Sequence, residues 1–129
     1  MFLLDSNVFI YYLNDDLTED GNRLFERAIA SGSAYSAISR LEVLGYPLSA
    51  PKRQDAEDIL RLFQELPIDD AILDQAIALR SSSRIKSIDA LIAATARHHN
   101  LPLITRNLKD FEAIPGLSLI NPFQPPAQS

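Results

Sequence analysis

Ser87-Ile88-Asp89-Ala90-Leu91-Ile92-Ala93-Ala94-Thr95-Ala96 decides how this chain is read. Ile88, Leu91, Ile92, Thr95 and Ala96 recur at the three-and-four spacing of a helix face turned to a core. Four alanines favour the helix and let neighbouring elements approach closely. Ser87 is the expected N-cap. Asp89 then falls in the first turn, where a carboxylate favours the helix dipole. An acid so close to a buried stripe also invites a chemical role, and the case for one depends on the rest of the chain.

On the N-terminal side, helices are expected over Asp69–Ser82 and Asp55–Glu65, with Ser81-Ser82-Ser83 as a loop between the first of these and the opening stretch. Ile72, Leu73, Ala76, Ile77 and Leu79 form the inward face of one; Ile59, Leu60, Leu62 and Phe63 form that of the other. Pro47, Ala50 and Pro51 mark a loop before them. Earlier still come short helices over Ser39–Gly45 and Asn7–Leu13, with a longer one starting at Thr18 or Asp20 and ending near Gly32. Phe2-Leu3-Leu4, Ser33–Ser36, Leu101–Ile104 and Leu117–Ile120 read as short buried strands. A helical turn is expected near Asp110-Phe111, and Pro122, Pro125 and Pro126 make an irregular tail over residues 122–129. Strands alternating with helices predict an α/β fold, a three-layer domain over residues 1–121 with a mainly parallel central sheet flanked by helices.

Composition agrees with a globular chain: 129 residues, 47% hydrophobic and free of cysteine. Thiolate metal sites and disulfides are excluded, and a reducing cytoplasm is the expected compartment. No apolar run approaches the roughly 20 residues of a membrane span, and Met1-Phe2-Leu3-Leu4-Asp5 lacks the basic start of a secretory signal. The net charge is −5, which argues against a general nucleic-acid coat protein. Residues 80–110 depart from this balance. Arg80, Arg84, Lys86, Arg97, Arg106 and Lys109 stand there against only Asp89 and Asp110. Singly each cation suits a solvated helix face; together they can steer a polyanion.

Parallel sheets place their sites at the carboxyl ends of strands. Asp5 ends the first strand, Glu42 follows the second, Asn107 and Asp110 follow the third, and Asp89 opens its helix. Each has a structural alternative. Asp5 can cap the next helix, Ser39-Arg40-Leu41-Glu42 matches a capping box, and Asn107 and Asp110 can cap a turn. Yet several carboxylates at one edge repel one another and raise their own pKa values, a conflict that a bound divalent cation removes. Oxygen donors without cysteine suit Mg²⁺ or Mn²⁺. His98 and His99 end a helix, where the dipole accommodates them.

Four blocks, Leu3-Leu4-Asp5-Ser6-Asn7-Val8, Ser39-Arg40-Leu41-Glu42-Val43-Leu44, Asp89-Ala90-Leu91-Ile92-Ala93-Ala94-Thr95-Ala96 and Ile104-Thr105-Arg106-Asn107-Leu108-Lys109-Asp110-Phe111, occur in order. They resemble the motifs of PIN-domain ribonucleases, especially VapC-type toxins of toxin–antitoxin pairs. By that resemblance Asp5, Glu42 and Asp89 match the three core acids. Asn107 matches a position that is Asp in some relatives, and Asp110 matches a further acid. Ser6 stands where Thr is commoner.

The resemblance implies a metal-dependent endoribonuclease. Asp5, Glu42, Asp89 and Asp110 are its expected catalytic acids, and Asn107 joins them around Mg²⁺ or Mn²⁺. Arg84, Lys86, Arg106 and Lys109 are the expected RNA contacts. The resemblance further implies a cognate antitoxin and a homodimer, with no membrane partner. Val8, Phe9, Ile10, Tyr11, Tyr12 and Leu13 exceed what one short helix buries in a single stripe, so some of them are expected on a dimer or antitoxin surface.

Three other readings compete. A haloacid-dehalogenase-type phosphatase needs a second Asp two residues after the first, where this chain has Asn7. A receiver domain needs paired acids after the first strand and a Lys after the last core strand. A non-catalytic PIN-like scaffold has no need of the acids.

Overall fold

Five short parallel strands, β1 Leu3–Leu4, β2 Ala34–Ser36, β3 Gln64–Leu66, β4 Leu103–Ile104 and β5 Leu119–Ile120, lie in the order β3-β2-β1-β4-β5. This computed structural model describes residues 1–125. All four strand pairings are parallel, with Leu3 beside Ala34 and Leu103, and Leu4 beside Ile104. The chain winds outward from β1 through β2 to β3, then returns to β4 on the other side of β1. The gap between β1 and β4 is therefore the switch point of the sheet, the place where open α/β sheets carry their sites.

Alternation along the strands divides the core in two. Leu3, Ala34 and Leu103 face one layer, where they meet α5 (Asp70–Ser82), α6 (Ser87–His98) and α7 (Leu108–Phe111). Leu4, Tyr35 and Ile104 face the other, where they meet α1 (Ser6–Leu13), α2 (Glu19–Ala30), α3 (Ala37–Leu44) and α4 (Ala50–Leu60). The three-layer α/β fold expected from the sequence is the fold observed.

The anchoring stretch is α6, with two corrections. Lys86, not Ser87, occupies the N-cap position, and no side chain caps there. The burial is also wider than one stripe. Ala90, Ile92, Ala93, Ala94, Thr95 and Ala96 are all buried, whereas Ile88 and Leu91 are only half-buried. A helix wedged between a sheet and neighbouring helices is apolar nearly all round. Thr95 fits this setting because its hydroxyl donates back to the Leu91 carbonyl at 2.7 Å.

Two further boundaries move. The helix expected over Asp55–Glu65 starts earlier, capped by Ser49 with Pro51 in its first turn, and stops at Leu60. Gln64–Leu66 is instead the edge strand β3, paired in register with Ala34–Ser36. Leu62, Leu73 and Ile77, expected to face inward, are exposed.

The apolar residues of α1 divide, with Tyr11, Tyr12 and Leu13 half-buried. Val8, Phe9 and Ile10 are buried. Tyr12 stacks on Phe25 with ring centroids 4.0 Å apart, and Tyr11 packs edge-on against Phe123 at 5.3 Å. α1 thus spends most of its bulk within its own layer. Residues 122–125 form a turn docked on this layer, with Pro122 buried. The remainder of the expected tail, Pro126 included, lies outside the described residues.

Candidate active site

Asp5 and Thr105 are the residues immediately beyond the paired ends of β1 and β4. The Leu4–Ile104 register therefore sets them side by side. The Thr105 hydroxyl donates to Asp5 Oδ2 at 2.8 Å, across a sequence separation of 100. Asp5 Oδ1 accepts the Ser6 backbone N–H at 2.8 Å and so caps α1. The capping role and a chemical role are compatible, because each carboxylate oxygen keeps a free lone pair. Thr105 is itself held by the Asn107 N–H at 3.0 Å.

Asp5 is only 4% exposed. Burial pushes its carboxyl up to about 6 from 3.8, against the lowering effect of the Thr105 and Ser6 hydrogen bonds, and the charges of Asp89 and Glu42 push it further. Asp89, half-buried at the start of α6, is also raised. Burial is again the main cause, followed by Asp110 and then Glu42, with Lys86 opposing. Asp5 thus feels the charges of Asp89 and Glu42, and Asp89 those of Asp110 and Glu42.

Glu42 is placed by a feature that local sequence conceals. The capping box does not form. Ser36 occupies the N-cap position of α3, which puts Ser39 inside the helix. Ser6 Oγ approaches both Glu42 Oε1, at 2.6 Å, and Ser39 Oγ, at 2.8 Å. One hydroxyl carries one proton. The closer carboxylate takes it, and the Ser39 hydroxyl completes the Ser6–Ser39 contact with its own. A buried hydroxyl pair therefore ties the start of α1 to α3 and aims Glu42 at the acids. Local sequence gives no sign that Ser39 and Ser6 are positioning groups. For Thr105 the available signal is a hydroxyl one residue beyond a buried strand.

Asp110 joins Asp89 in a cleft of about 530 Å³ that Arg84, Lys86 and Lys109 also line. Arg106 does not line it. Its guanidinium lies over the rings of Phe123, at 4.1 Å, and Tyr11, at 5.3 Å. Asn107 precedes α7 without capping it through its side chain. His98 is engaged with Gln75 at 2.9 Å.

Among the described residues, no three acids or histidines stand close enough together to enclose a metal ion. The donor set still fits one kind of ion. Mg²⁺ ordinarily takes one or two carboxylates and keeps several waters, and paired acids with raised pKa values gain from a cation between them.

A family model described as PIN domain matches residues 2–117. Among solved structures, the chain is similar to a toxin–antitoxin complex from Klebsiella pneumoniae, at 31% identity over 96% of this chain and 99% of that one, with a TM-score of 0.77. It is similar to FitAcB from Neisseria gonorrhoeae at 28% identity, over 95% and 99% of the two chains, with a TM-score of 0.80. It is also similar to VapBC2 from Rickettsia felis, solved with a DNA fragment from their promoter, at 25% identity over 93% and 97%, with a TM-score of 0.79. No curated protein matches the chain in sequence. The family match over nearly the whole chain, together with these neighbours, shows that the chain belongs to the PIN-domain family and resembles its VapC-type members.

Proposed function

We propose that this chain is a Mg²⁺- or Mn²⁺-dependent endoribonuclease and the toxin of a toxin–antitoxin pair, working in the cytoplasm as a single domain over residues 1–121. The observation that carries this reading is that Asp5, at the switch point of the sheet, is raised by burial and by the charges of Asp89 and Glu42, while Asp89 is raised by burial and by the charges of Asp110 and Glu42. A scaffold gains nothing from such mutual repulsion. The solved neighbours are toxin–antitoxin complexes, which supports an antitoxin partner here.

Asp5 and Asp89 are the main metal ligands in this reading. Glu42 holds a second ion or orients the attacking water, and Asn107 and Asp110 complete the ring directly or through waters. These residues would hold a divalent ion, whose chemistry there would be to neutralise phosphate charge, acidify a water and stabilise the leaving oxygen. The chain's own part is positional. Thr105 and the Ser6 N–H fix both oxygens of Asp5, Ser6 fixes one oxygen of Glu42, and Arg84, Lys86 and Lys109 draw the RNA backbone to the acids. With Arg106 held over two rings, RNA attraction falls mainly to those other three cations. A homodimer belongs to the same proposal. Its surface is better sought at Leu73 and Ile77, exposed one turn apart on α5, than on α1.

The test has two readouts. Millimolar Mn²⁺ added to EDTA-treated protein is expected to raise the melting temperature, as any ligand of the native state alone does, and to switch on cleavage of an RNA substrate. Cleavage that persists in EDTA, or no response of either readout to metal, would refute the metal-dependent reading.

A second expectation concerns the Ser6 link. Glu42→Gln keeps an oxygen to accept the Ser6 hydroxyl, so stability should hardly change while metal-dependent cleavage is lost. Ser6→Ala strips Glu42 and Ser39 of their shared partner. It should cost about 1–3 kcal/mol and reduce activity about 10–100-fold through a misplaced acid, whereas Ser6→Thr restores both. Urea unfolding and initial cleavage rates check this. Full activity in Glu42→Gln would remove Glu42 from the site.

A further inference from the structure

Arg106 stands in the chain between Thr105, whose hydroxyl holds Asp5, and Asn107, whose N–H holds that hydroxyl. Its own side chain is exposed, and among the described residues no acid lies within ion-pair distance of it. Two rings hold it instead, Phe123 at 4.1 Å and Tyr11 at 5.3 Å. Tyr11 belongs to α1, which starts beside Asp5, and Phe123 to the turn after β5. One guanidinium thus joins the segments that follow β1, β4 and β5, three neighbouring strands of the sheet.

The turn that carries Phe123 is itself fixed. Asn121 Oδ1 accepts the Phe123 N–H at 2.9 Å, and the Asn121 carbonyl accepts the Gln124 N–H at 3.1 Å. The Pro122 carbonyl presses onto the first turn of α2, where a Cβ on Gly21 would stand 2.5 Å from its oxygen. Glycine is a poor helix residue, and at this position it is what admits the turn. The turn also lies beyond residues 2–117, the part of the chain that matches the PIN-domain family. By contrast, the segment it steadies has little else to hold it. Asn107 is half-buried and its side chain caps nothing.

We infer that Phe123 is a positioning residue for the acid site. With Tyr11 it holds Arg106, and through Arg106 it keeps Asn107 and the Thr105 hydroxyl in place beside Asp5. The Asn107 N–H donated into the Thr105 oxygen leaves the hydroxyl's own proton for Asp5. A chain that swings out after Thr105 loses that N–H to water and frees the hydroxyl to turn. The consequence for cleavage rests on the nuclease reading, but the effect on the loop does not.

The test compares backbone amide exchange, followed by NMR without metal, with cleavage kinetics in Mn²⁺. In Phe123→Ala the Asn107 N–H should exchange about five- to tenfold faster, the effect of losing one cation–π contact and one ring contact. The Thr105 N–H, which donates to the Ile120 carbonyl at 2.9 Å within the sheet, should keep its rate. kcat should fall about tenfold with KM unchanged, because Arg84, Lys86 and Lys109 are untouched. Phe123→Trp should restore both readouts, Trp being the best partner for a cation. Gly21→Ala, which lifts the Pro122 carbonyl, should reproduce the loss without altering Arg106 or either ring. Arg106→Gln, at an exposed position, should loosen Asn107 alike in a protein whose core is intact, and should add little to Phe123→Ala because it removes the same contact. Unchanged Asn107 exchange in Phe123→Ala and Arg106→Gln would overturn the inference. So would loosening of Thr105 and Asn107 together, the mark of a turn that merely holds β5, or a loosened Asn107 with a full cleavage rate. The nuclease reading would survive all three results. Selective loosening of Asn107, rescued by Phe123→Trp, in a protein that cleaves no RNA with any metal would support the positioning role and remove the nuclease reading.

Discussion

Asp5→Asn is expected to cut metal-dependent RNA cleavage more than about 100-fold and, without metal, to stabilise the protein at neutral pH. The first effect follows from its proposed place as a metal ligand, since even partners behind the ligands typically contribute 10–100-fold. The second follows from its burial. The Asp5 carboxyl is raised to about 6 from 3.8. Below pH ~4 the folded and unfolded chains both hold this proton, and the group has no effect. Between ~4 and ~6 the folded chain holds a proton that the unfolded chain has released, so stability falls as the pH rises. Above ~6 the full cost, roughly 3 kcal/mol, is in place. Asn carries no charge and removes this slope.

Asn keeps an oxygen for the Ser6 N–H but turns an amide toward Thr105, which already accepts the Asn107 N–H. The net gain at pH 7 should therefore be smaller, about 1–2 kcal/mol, or about 4–7 °C in melting temperature for a chain of this size. Excess Mn²⁺ should reverse the ranking, because only the parent chain gains from the ion. Melting curves from pH 4 to 8, with and without Mn²⁺, decide the matter. A variant that is less stable than the parent in EDTA at pH 7 and still cleaves RNA would show Asp5 to be a cap alone.

Phe9→Ala should destabilise the fold by about 3–5 kcal/mol. Phe9 is 1% exposed. Its ring meets Phe25 and Tyr35 at 5.8 Å and Phe63 at 5.1 Å, each time edge-to-face. Truncation leaves a cavity among three rings and removes contacts worth about 0.5–1.5 kcal/mol apiece beyond simple burial. Domain stabilities are typically about 5–15 kcal/mol, so the variant should unfold at a much lower urea concentration with an unchanged slope. A loss below 1 kcal/mol would mean that the aromatic cluster repacks. Because α1 begins at Ser6, beside Asp5, the same loss should loosen the site.

Asp5 and Asp89 were legible as candidates because each stands where a periodic apolar segment begins or ends: Asp5 after Leu3-Leu4, Asp89 at the mouth of an alanine-rich helix. Ser39 was misread because a local pattern offered a complete explanation. Ser-x-x-Glu satisfies the capping rule, and nothing nearby in sequence shows that Ser36 starts the helix or that Ser6 comes across to Glu42. β3 was misread for the opposite reason. Gln64-Glu65-Leu66 has no strand character of its own, and only its pairing with Ala34–Ser36 makes it a strand. Part of the aromatic bulk of α1 has partners that the sequence alone does not reveal. Phe25, Phe63 and Phe123 lie farther along the chain and pack against Phe9, Tyr11 and Tyr12. Phe123, with Tyr11, claims Arg106 as well.

The bond between Asp5 and Thr105 also has a consequence in time. These neighbours are 100 residues apart in the chain. At synthesis rates of ~5–20 residues per second, Asp5 waits about 5–20 s for the strand that completes its surroundings. Until then β1 has no β4 beside it, and the carboxylates stand on unjoined segments. Whatever chemistry this edge of the sheet supports therefore becomes available only after residue 105 has been made, in one late step rather than by degrees as the chain emerges.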